Sequence, residues 1–397
     1  MESKSYPFPD YNQKPRAFLV DTYVNRGISF TKGEGCYLID AYGHRYLDLA
    51  TNYGVNIFGY NHPYINYCLK EQLEKLITLH CSFDHELRFL AAEKLVRFCG
   101  GNLSQAYFSN SGAEAIEAAL KFAVLASGKK KFIACQGSYH GKTLGALSAT
   151  FSQKYRHYFE PLLWEFNFIP YGDVQALEQA INEQVAAFLV EPIQGESGIN
   201  LPAPGYLRKA IEICRKNGVL MIVDEIQSGL GRTGSFLASG DEIESYDILC
   251  LGKGLAGGLP VGATLVSSTI ATKITKGIHS STFGGNPLVC AGILATLNLI
   301  TGSLLMRVKE IGNYFLRCLK ELAHEKIAEV RGSGLMIGID LREKRDAFLK
   351  ALQNRGIIAL PAGENVVRFL PPYIIERNQV DEAVDIISQI LVHLYFE

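Results

Sequence analysis

Seven short apolar runs alternating with stretches of helical spacing constrain this 397-residue chain more than any other feature. They are QAYFS, KFIAC, FNFIP, AAFLVE, VLMIVD, DILCL and VGATLV. Strands separated by helices form βαβ units, which assemble into a mostly parallel sheet. The pattern therefore predicts an α/β fold with seven strands in its main sheet. In open sheets of this kind ligands bind just outside the carboxyl ends of the strands. Residues at the ends of the runs are thus the first candidates for a site.

Two run ends carry reactive groups. In LCLGKGLAGGLPVG, residues 249–262, Lys253 follows where the strand must stop, at the rim of the core. Desolvation there would lower the amine's pKa and make it a nucleophile. The five glycines of the stretch allow a flat ring to approach the backbone. Alone, the segment fits equally a snorkelling lysine in a glycine-rich loop. Upstream, in VLMIVDEIQSGLGRTG, Asp224 ends a strand and Gln227 follows three residues later. An acid at one strand end and a lysine at the next are what pyridoxal 5'-phosphate (PLP) requires. The lysine joins the cofactor's aldehyde, and the aspartate keeps the pyridine nitrogen protonated so that the ring acts as an electron sink.

With SNSGAEA, GSYHGKT, VEPIQGESG, VDEIQSGLGRTG, LGKG, STFGGNP and VRFLPP in this order, the chain resembles the class III aminotransferases of PLP fold type I, from about Tyr23 to the C-terminus. VRGSGLMIGIDL, VVRFLPPYII and Tyr23, ten residues before Gly33, look most like the acetylornithine, ornithine and carrier-protein-linked lysine enzymes. HGK and GALSAT are similar to putrescine aminotransferases.

The resemblance implies a role for each matching position. Ser111, Gly112 and Ala113 would offer N–H groups to the cofactor's phosphate at a helix N-terminus. Read alone, they are an ordinary serine cap with Glu114 completing a capping box. The family usually has Thr where this chain has Ala113. Tyr139 would stack on the pyridine ring, although a lone tyrosine there is equally half-buried core. Asp224 and Gln227 would contact the ring nitrogen and the 3-hydroxyl, and Ile226 would pack on the opposite face. Thr282 would reach the phosphate of the neighbouring subunit's cofactor, which implies a homodimer at least.

For substrates, Lys142 stands where relatives have an arginine that forks a carboxylate, so it keeps the charge without the bidentate geometry. Arg368 matches the arginine that takes the α-carboxylate of glutamate or 2-oxoglutarate, and Glu196 the acid that shields it; an interdomain salt bridge is the plain alternative. Together with Tyr23, these residues imply transfer of a terminal amino group from N-acetylornithine or a similar donor to 2-oxoglutarate. Ornithine and diamines such as putrescine remain alternatives.

Composition sets outer limits. A net charge of -1, from 39 basic and 40 acidic residues, leaves no electrostatic footprint for nucleic acid or an anionic membrane. Nine cysteines scattered through apolar stretches without a C-x-x-C pair fit reduced, buried thiols and a cytoplasmic setting, and no metal site stands out. The N-terminal residues lack an apolar h-region, and the longest run free of polar side chains, Leu288 to Ala295, is too short to span a bilayer.

Along the chain, an extended arm is expected over the first twenty residues and an antiparallel meander over residues 28–49. Two amphipathic helices are expected between Pro63 and Cys99, and one long helix from Pro287 to about Gly312. The family's organisation would give an N-terminal arm and meander over residues 1–60, a large PLP-binding domain over 61–299, and a small α+β domain over 300–397 that the first segment joins. A reading from another class rests on Gly229, Gly231 and Gly234, which spell the G-x-G-x-x-G of a nucleotide-dependent dehydrogenase. Five residues separate its first glycine from the strand, where a dinucleotide-binding turn would follow directly. A third reading, a PLP fold that has lost catalysis and serves as a scaffold, is disfavoured by the retention of Lys253 with Asp224.

Overall fold

The computed structural model describes residues 18–393, so residues 1–17 of the expected arm lie outside the described residues. The expected meander forms as β1 (Phe30–Glu34), β2 (Tyr37–Asp40) and β3 (Arg45–Asp48), paired antiparallel. The seven apolar runs become β4 (Leu103–Ser109), β5 (Lys131–Cys135), β6 (Glu165–Ile169), β7 (Val185–Val190), β8 (Leu220–Asp224), β9 (Ile248–Gly252) and β10 (Gly262–Ser267). They form one sheet in the order β4-β10-β9-β8-β7-β5-β6. Only β10 runs against its neighbours.

The five inner runs, β5 and β7 to β10, are almost continuously apolar because both faces of the sheet are covered there, while the edge strands β4 and β6 are partly exposed. In β9, Ile248 and Cys250 pack into the core around the helix Gly112–Ser127, while Leu249 and Leu251 enter the core on the opposite face. Beyond the sheet lie β11 (Ile327–Ser333), β12 (Met336–Leu341), β13 (Ile357–Ile358), β14 (Leu360–Ala362) and β15 (Val366–Phe369). β13 pairs in parallel with β3, which ties residues near the two ends of the chain together. The other four form a sheet in the order β11-β12-β15-β14.

Two sequence expectations are corrected. The long helix after Pro287 is broken into Pro287–Leu299 and Gly302–Glu321, bent by 72°. At the break Thr301 has extended backbone, and its Oγ1 accepts a hydrogen bond from Leu304 N–H at 3.2 Å. A capping hydroxyl thus starts a new helix where apolar periodicity alone runs on. Gly229, Gly231 and Gly234 do not build a dinucleotide-binding turn, since no helix forms between Asp224 and Ile248. Gly231 and Gly234 let the segment lie close to the helix Gly302–Glu321 instead. A Cβ on Gly231 would come within 2.8 Å of Leu305, and one on Gly234 within 2.7 Å of Lys309.

Among the described residues no single helix is long and apolar enough to cross a membrane. All nine cysteines are unpaired; six are buried, Cys68 and Cys318 are half-buried and Cys81 is exposed.

The cap at the helix break gives a stability prediction. Thr301→Ala should cost about 1 kcal/mol in urea unfolding while turnover stays unchanged, because Thr301 is exposed and its hydroxyl serves the helix cap. Unchanged stability would show that the break is held by packing rather than by the cap.

Candidate active site

At the carboxyl ends of the parallel strands the chain turns from buried backbone to polar side chains. The segment after β5 carries Tyr139 and His140, β7 is followed by Glu191, β8 ends in Asp224, and β9 is followed by Lys253. β4 shares this direction, because it and β9 both oppose β10, and it leads into the helix that begins at Gly112. Gly112, Ala113, Tyr139, Lys142, Glu196, Asp224, Ile226, Gln227 and Lys253 line one inner pocket of about 320 Å³. An outer cavity of about 820 Å³ shares Tyr139 and Glu196 with it and is also walled by Tyr23, Tyr53, Lys154, Tyr155 and Lys350.

Lys253 sits in a short turn with φ +48, a left-handed conformation that costs a non-glycine residue about 1–3 kcal/mol and that marks sites where geometry outranks local stability. Burial, followed by the Arg368 charge, lowers its pKa to about 8, against the pull of Asp224, Glu196 and Glu191. Asp224 is buried; its Oδ1 accepts from Ile226 N–H at 3.0 Å, and its Oδ2 lies 2.7 Å from His140 Nδ1. A carboxylate only accepts, so Nδ1 carries the proton of that contact. His140 Nε2 is buried without a partner among the described residues.

At the other end of the pocket Ser111 caps the helix, its Oγ accepting from Glu114 N–H at 3.2 Å, while Glu114 Oε2 accepts from Asn110 N–H at 2.6 Å. The hydroxyl is thus engaged in capping the helix, while the Glu114 carboxylate reaches back past the cap to Asn110. The N–H groups of Gly112 and Ala113 lie in the first turn, where no intrahelical acceptor exists. A Cβ on Gly112 would stand 2.8 Å from Ile226 Cγ2, so only glycine lets the helix N-terminus and Ile226 meet there.

Arg368, on β15, is fully buried. Its Nη1 donates to Gly195 O at 3.0 Å and to Gln227 Oε1 at 3.2 Å, and its Nη2 to Glu196 Oε2 at 2.9 Å. Its Nε has no acceptor among the described residues. Gln227 therefore turns its oxygen toward Arg368. Lys142 is exposed at the pocket edge, with Nζ 4.6 Å from the centre of the Tyr155 ring. Tyr23 is exposed on the outer wall, and Thr282 is exposed and outside both cavities.

Four residues of the site escaped the sequence reading. His140 and Glu191 sit beside singled-out residues in GSYHGKT and VEPIQGESG, but only the fold brings them to Asp224 and Tyr139. Tyr155 lies on a short helix with no motif. Tyr53 is the third of three consecutive non-glycine residues with positive φ, and Arg368 Cζ lies 5.6 Å from the centre of its ring.

These features fit PLP. A helix N-terminus can take its phosphate, Tyr139 and Ile226 give the pocket an aromatic and an aliphatic lining, Asp224 offers a buried carboxylate, and Lys253 a depressed amine.

Comparisons with known proteins agree. Residues 20–391 match the family described as Aminotransferase class-III. The chain is 39% identical over 379 residues to the acetylornithine aminotransferase of Methanosarcina acetivorans, covering 95% of each. It is 41% identical over 372 residues to a Pyrococcus furiosus protein provisionally named LysW-aminoadipate semialdehyde/glutamate semialdehyde transaminase, covering 93% of this chain and 97% of that one. Its fold is similar to the crystal structure of the ornithine aminotransferase from Toxoplasma gondii ME49, with a TM-score of 0.91, 34% identity, and coverage of 96% of this chain and 94% of that one. With an amino donor and an oxo acid as its substrates and PLP as its cofactor, the chain belongs to the class III aminotransferases.

Proposed function

We propose that this enzyme moves the terminal amino group of N-acetylornithine, or of a similar amino-acid-derived donor, to 2-oxoglutarate, giving a semialdehyde and glutamate, and that it works as a homodimer. The names of its relatives support the donor class. The observation that carries the reading is Arg368. A fully buried guanidinium with an unpartnered Nε and a partly exposed carboxylate partner is suited to two substrates in turn. With Glu196 swung aside, Arg368 takes the α-carboxylate of glutamate or 2-oxoglutarate in bidentate fashion. With Glu196 in place the charge is neutralised, and a terminal amine can enter without repulsion.

Bound in the pocket, PLP supplies an electron sink for the carbon that loses a proton. The protein's residues do the rest. Lys253 Nζ, whose depressed pKa leaves a good share of the amine neutral near pH 8, takes the proton from the donor carbon and returns it on the far side of the transfer. Asp224, oriented by His140 and the Ile226 N–H, would hold the proton on the cofactor's ring nitrogen. Gly112 and Ala113 N–H groups at the helix end capped by Ser111 would hold the phosphate, and Thr282 of a second copy would complete that site. Tyr139 and Ile226, which line the pocket, would pack on the cofactor's ring, and Gln227, whose oxygen accepts from Arg368, would contact its 3-hydroxyl. Tyr23 and Lys142, at the mouth, meet the far end of the donor.

Lys253→Ala should reduce turnover by more than about a thousandfold while the circular dichroism spectrum stays that of the wild type; turnover within tenfold would refute the assignment. The lysine's pH signature has a defined sign. Its pKa is lowered from 10.5 to about 8 in the native chain, so between these values the unfolded state holds the extra proton and stability rises with pH. In the cofactor-free protein, the stability of the wild type relative to Lys253→Met should therefore increase as pH goes from 8 to 10. A difference that is flat or falls over that range would contradict it.

Donor choice is read at Lys142. If the donor bears a carboxylate, Lys142→Ala should raise the KM for N-acetylornithine roughly tenfold, at about 1.4 kcal/mol per decade, and leave putrescine unaffected. A Lys142→Ala enzyme as good with N-acetylornithine as the wild type would remove Lys142 from the substrate site. A wild type that consumes putrescine but no carboxylate-bearing amine would move the enzyme to diamines.

A further inference from the structure

Glu191 is a buried carboxyl that none of the steps above uses. It follows β7 and lines the inner pocket without reaching for a side chain. Its Oε1 accepts from the backbone N–H of Tyr139 at 3.0 Å, and its Oε2 from that of Gly195 at 3.2 Å. Tyr139 gives the pocket its aromatic lining. Gly195 in turn accepts from Arg368 Nη1 through its carbonyl, and the next residue, Glu196, accepts from Nη2. One carboxyl group thus ties the aromatic wall to the turn that cradles the arginine.

We propose that Glu191 is a positioning residue that locks the Gly195–Glu196 turn, and through it Arg368, in the geometry that receives a substrate carboxylate, and that protonating Glu191 loosens this cradle. The inference rests on reading Arg368 as the carboxylate acceptor. The chemistry follows from the donors that Glu191 faces. An ionised carboxyl presents two acceptor oxygens to two N–H groups, whereas a protonated one places an O–H against an N–H and weakens one of the two contacts.

The titratable groups around Glu191 come from several elements. They are Cys135 on β5, Tyr139 and His140 beyond it, Tyr171 after β6, Asp224 at the end of β8 and Lys253 after β9. Burial pushes the Glu191 carboxyl up to about 7; His140 pulls it down, Asp224 pushes it up, and the two backbone N–H groups pull it down. A raised carboxyl pKa means that the native state holds the proton up to that pH. The cradle is therefore locked above about 7 and loosened below it.

The test uses the holoenzyme and glutarate, a dicarboxylate that cannot react, with binding measured by calorimetry between pH 6 and pH 8.5. The glutamate half-reaction is followed over the same range. The wild type should bind glutarate roughly tenfold more tightly at pH 8.5 than at pH 6, and its glutamate kcat/KM should show the same step. Glu191→Gln should abolish the step and raise the glutamate KM about tenfold with little change in kcat. Glu191→Asp, which keeps the charge but shortens the reach, should retain a step at a shifted pH. A step that survives in Glu191→Gln, or a loss of kcat at unchanged KM, overturns the inference. If Glu191→Gln does not fold, a Glu191→Asp enzyme with the wild-type step and KM overturns it instead. Arg368→Ala separates the two levels of the argument: a wild-type glutamate KM in that variant overturns the reading of Arg368 itself. A raised KM there beside an unaffected Glu191→Gln overturns only the role of Glu191.

Discussion

The sheet from β7 to β10 is buried on both faces, with only Leu220 partly exposed, and this dryness dictates where chemistry can occur. A polar group buried without a partner costs about 1–3 kcal/mol, so these strands admit few. Thr264, inside β10, is tolerated because its hydroxyl donates to Ala115 O at 2.8 Å. Charged groups appear only where the strands stop, and they stop along one edge. Three chain segments converge there at distances that exclude side chains, as Gly262 illustrates: a Cβ on it would lie 2.1 Å from Ser111 O. The pocket is thus a consequence of packing before it is a consequence of any catalytic residue.

Two of the backbone's positive-φ non-glycine residues, Lys253 and Tyr53, line the two cavities of the site. Thr51, Asn52 and Tyr53 have φ of 44, 51 and 60, a left-handed run that would be unfavourable by about 1–2 kcal/mol per residue if nothing opposed it. Buried Asp48 accepts from Ala50 and Thr51 N–H, and Thr51 Oγ1 donates to Leu370 O at 2.7 Å, which fastens the run to the C-terminal part of the chain. The result brings Tyr53 over Arg368. Arg232 is a second such link: fully buried, it donates to Leu335 O and Pro371 O and lies over the Tyr373 ring. The residues around Arg368 are therefore held by contacts between distant parts of the chain.

That division explains what was legible in the sequence. The five inner strands could be read because burial on both faces leaves continuous apolar runs, the partly exposed edge strands β4 and β6 because short apolar and aromatic runs remain, and Lys253 and Asp224 could be placed because they end two of the inner ones. The break at Thr301 was missed because apolar spacing continues through Leu299 and Ile300, and only a capping hydroxyl marks the stop. β13 and β14 were missed as well, being two and three residues long and defined by partners far away in sequence. His140, Glu191 and Tyr53 carry no local signal, since their importance lies in a contact, a pair of backbone bonds and a backbone strain that exist only once the chain is folded. At Ser111 the hydroxyl caps the helix, and the N–H groups of the first turn next to it lie where no intrahelical acceptor exists.

The central claim is that Lys253 is the amine that holds the cofactor between Asp224 and the Gly112 helix end. Borohydride reduction of the holoenzyme, followed by proteolysis and mass spectrometry, tests it most directly, because reduction fixes PLP irreversibly to whichever amine it occupies. The account predicts one phosphopyridoxyl-labelled peptide, with the label on Lys253. A label on another lysine, or a cofactor released unattached after reduction, would contradict it.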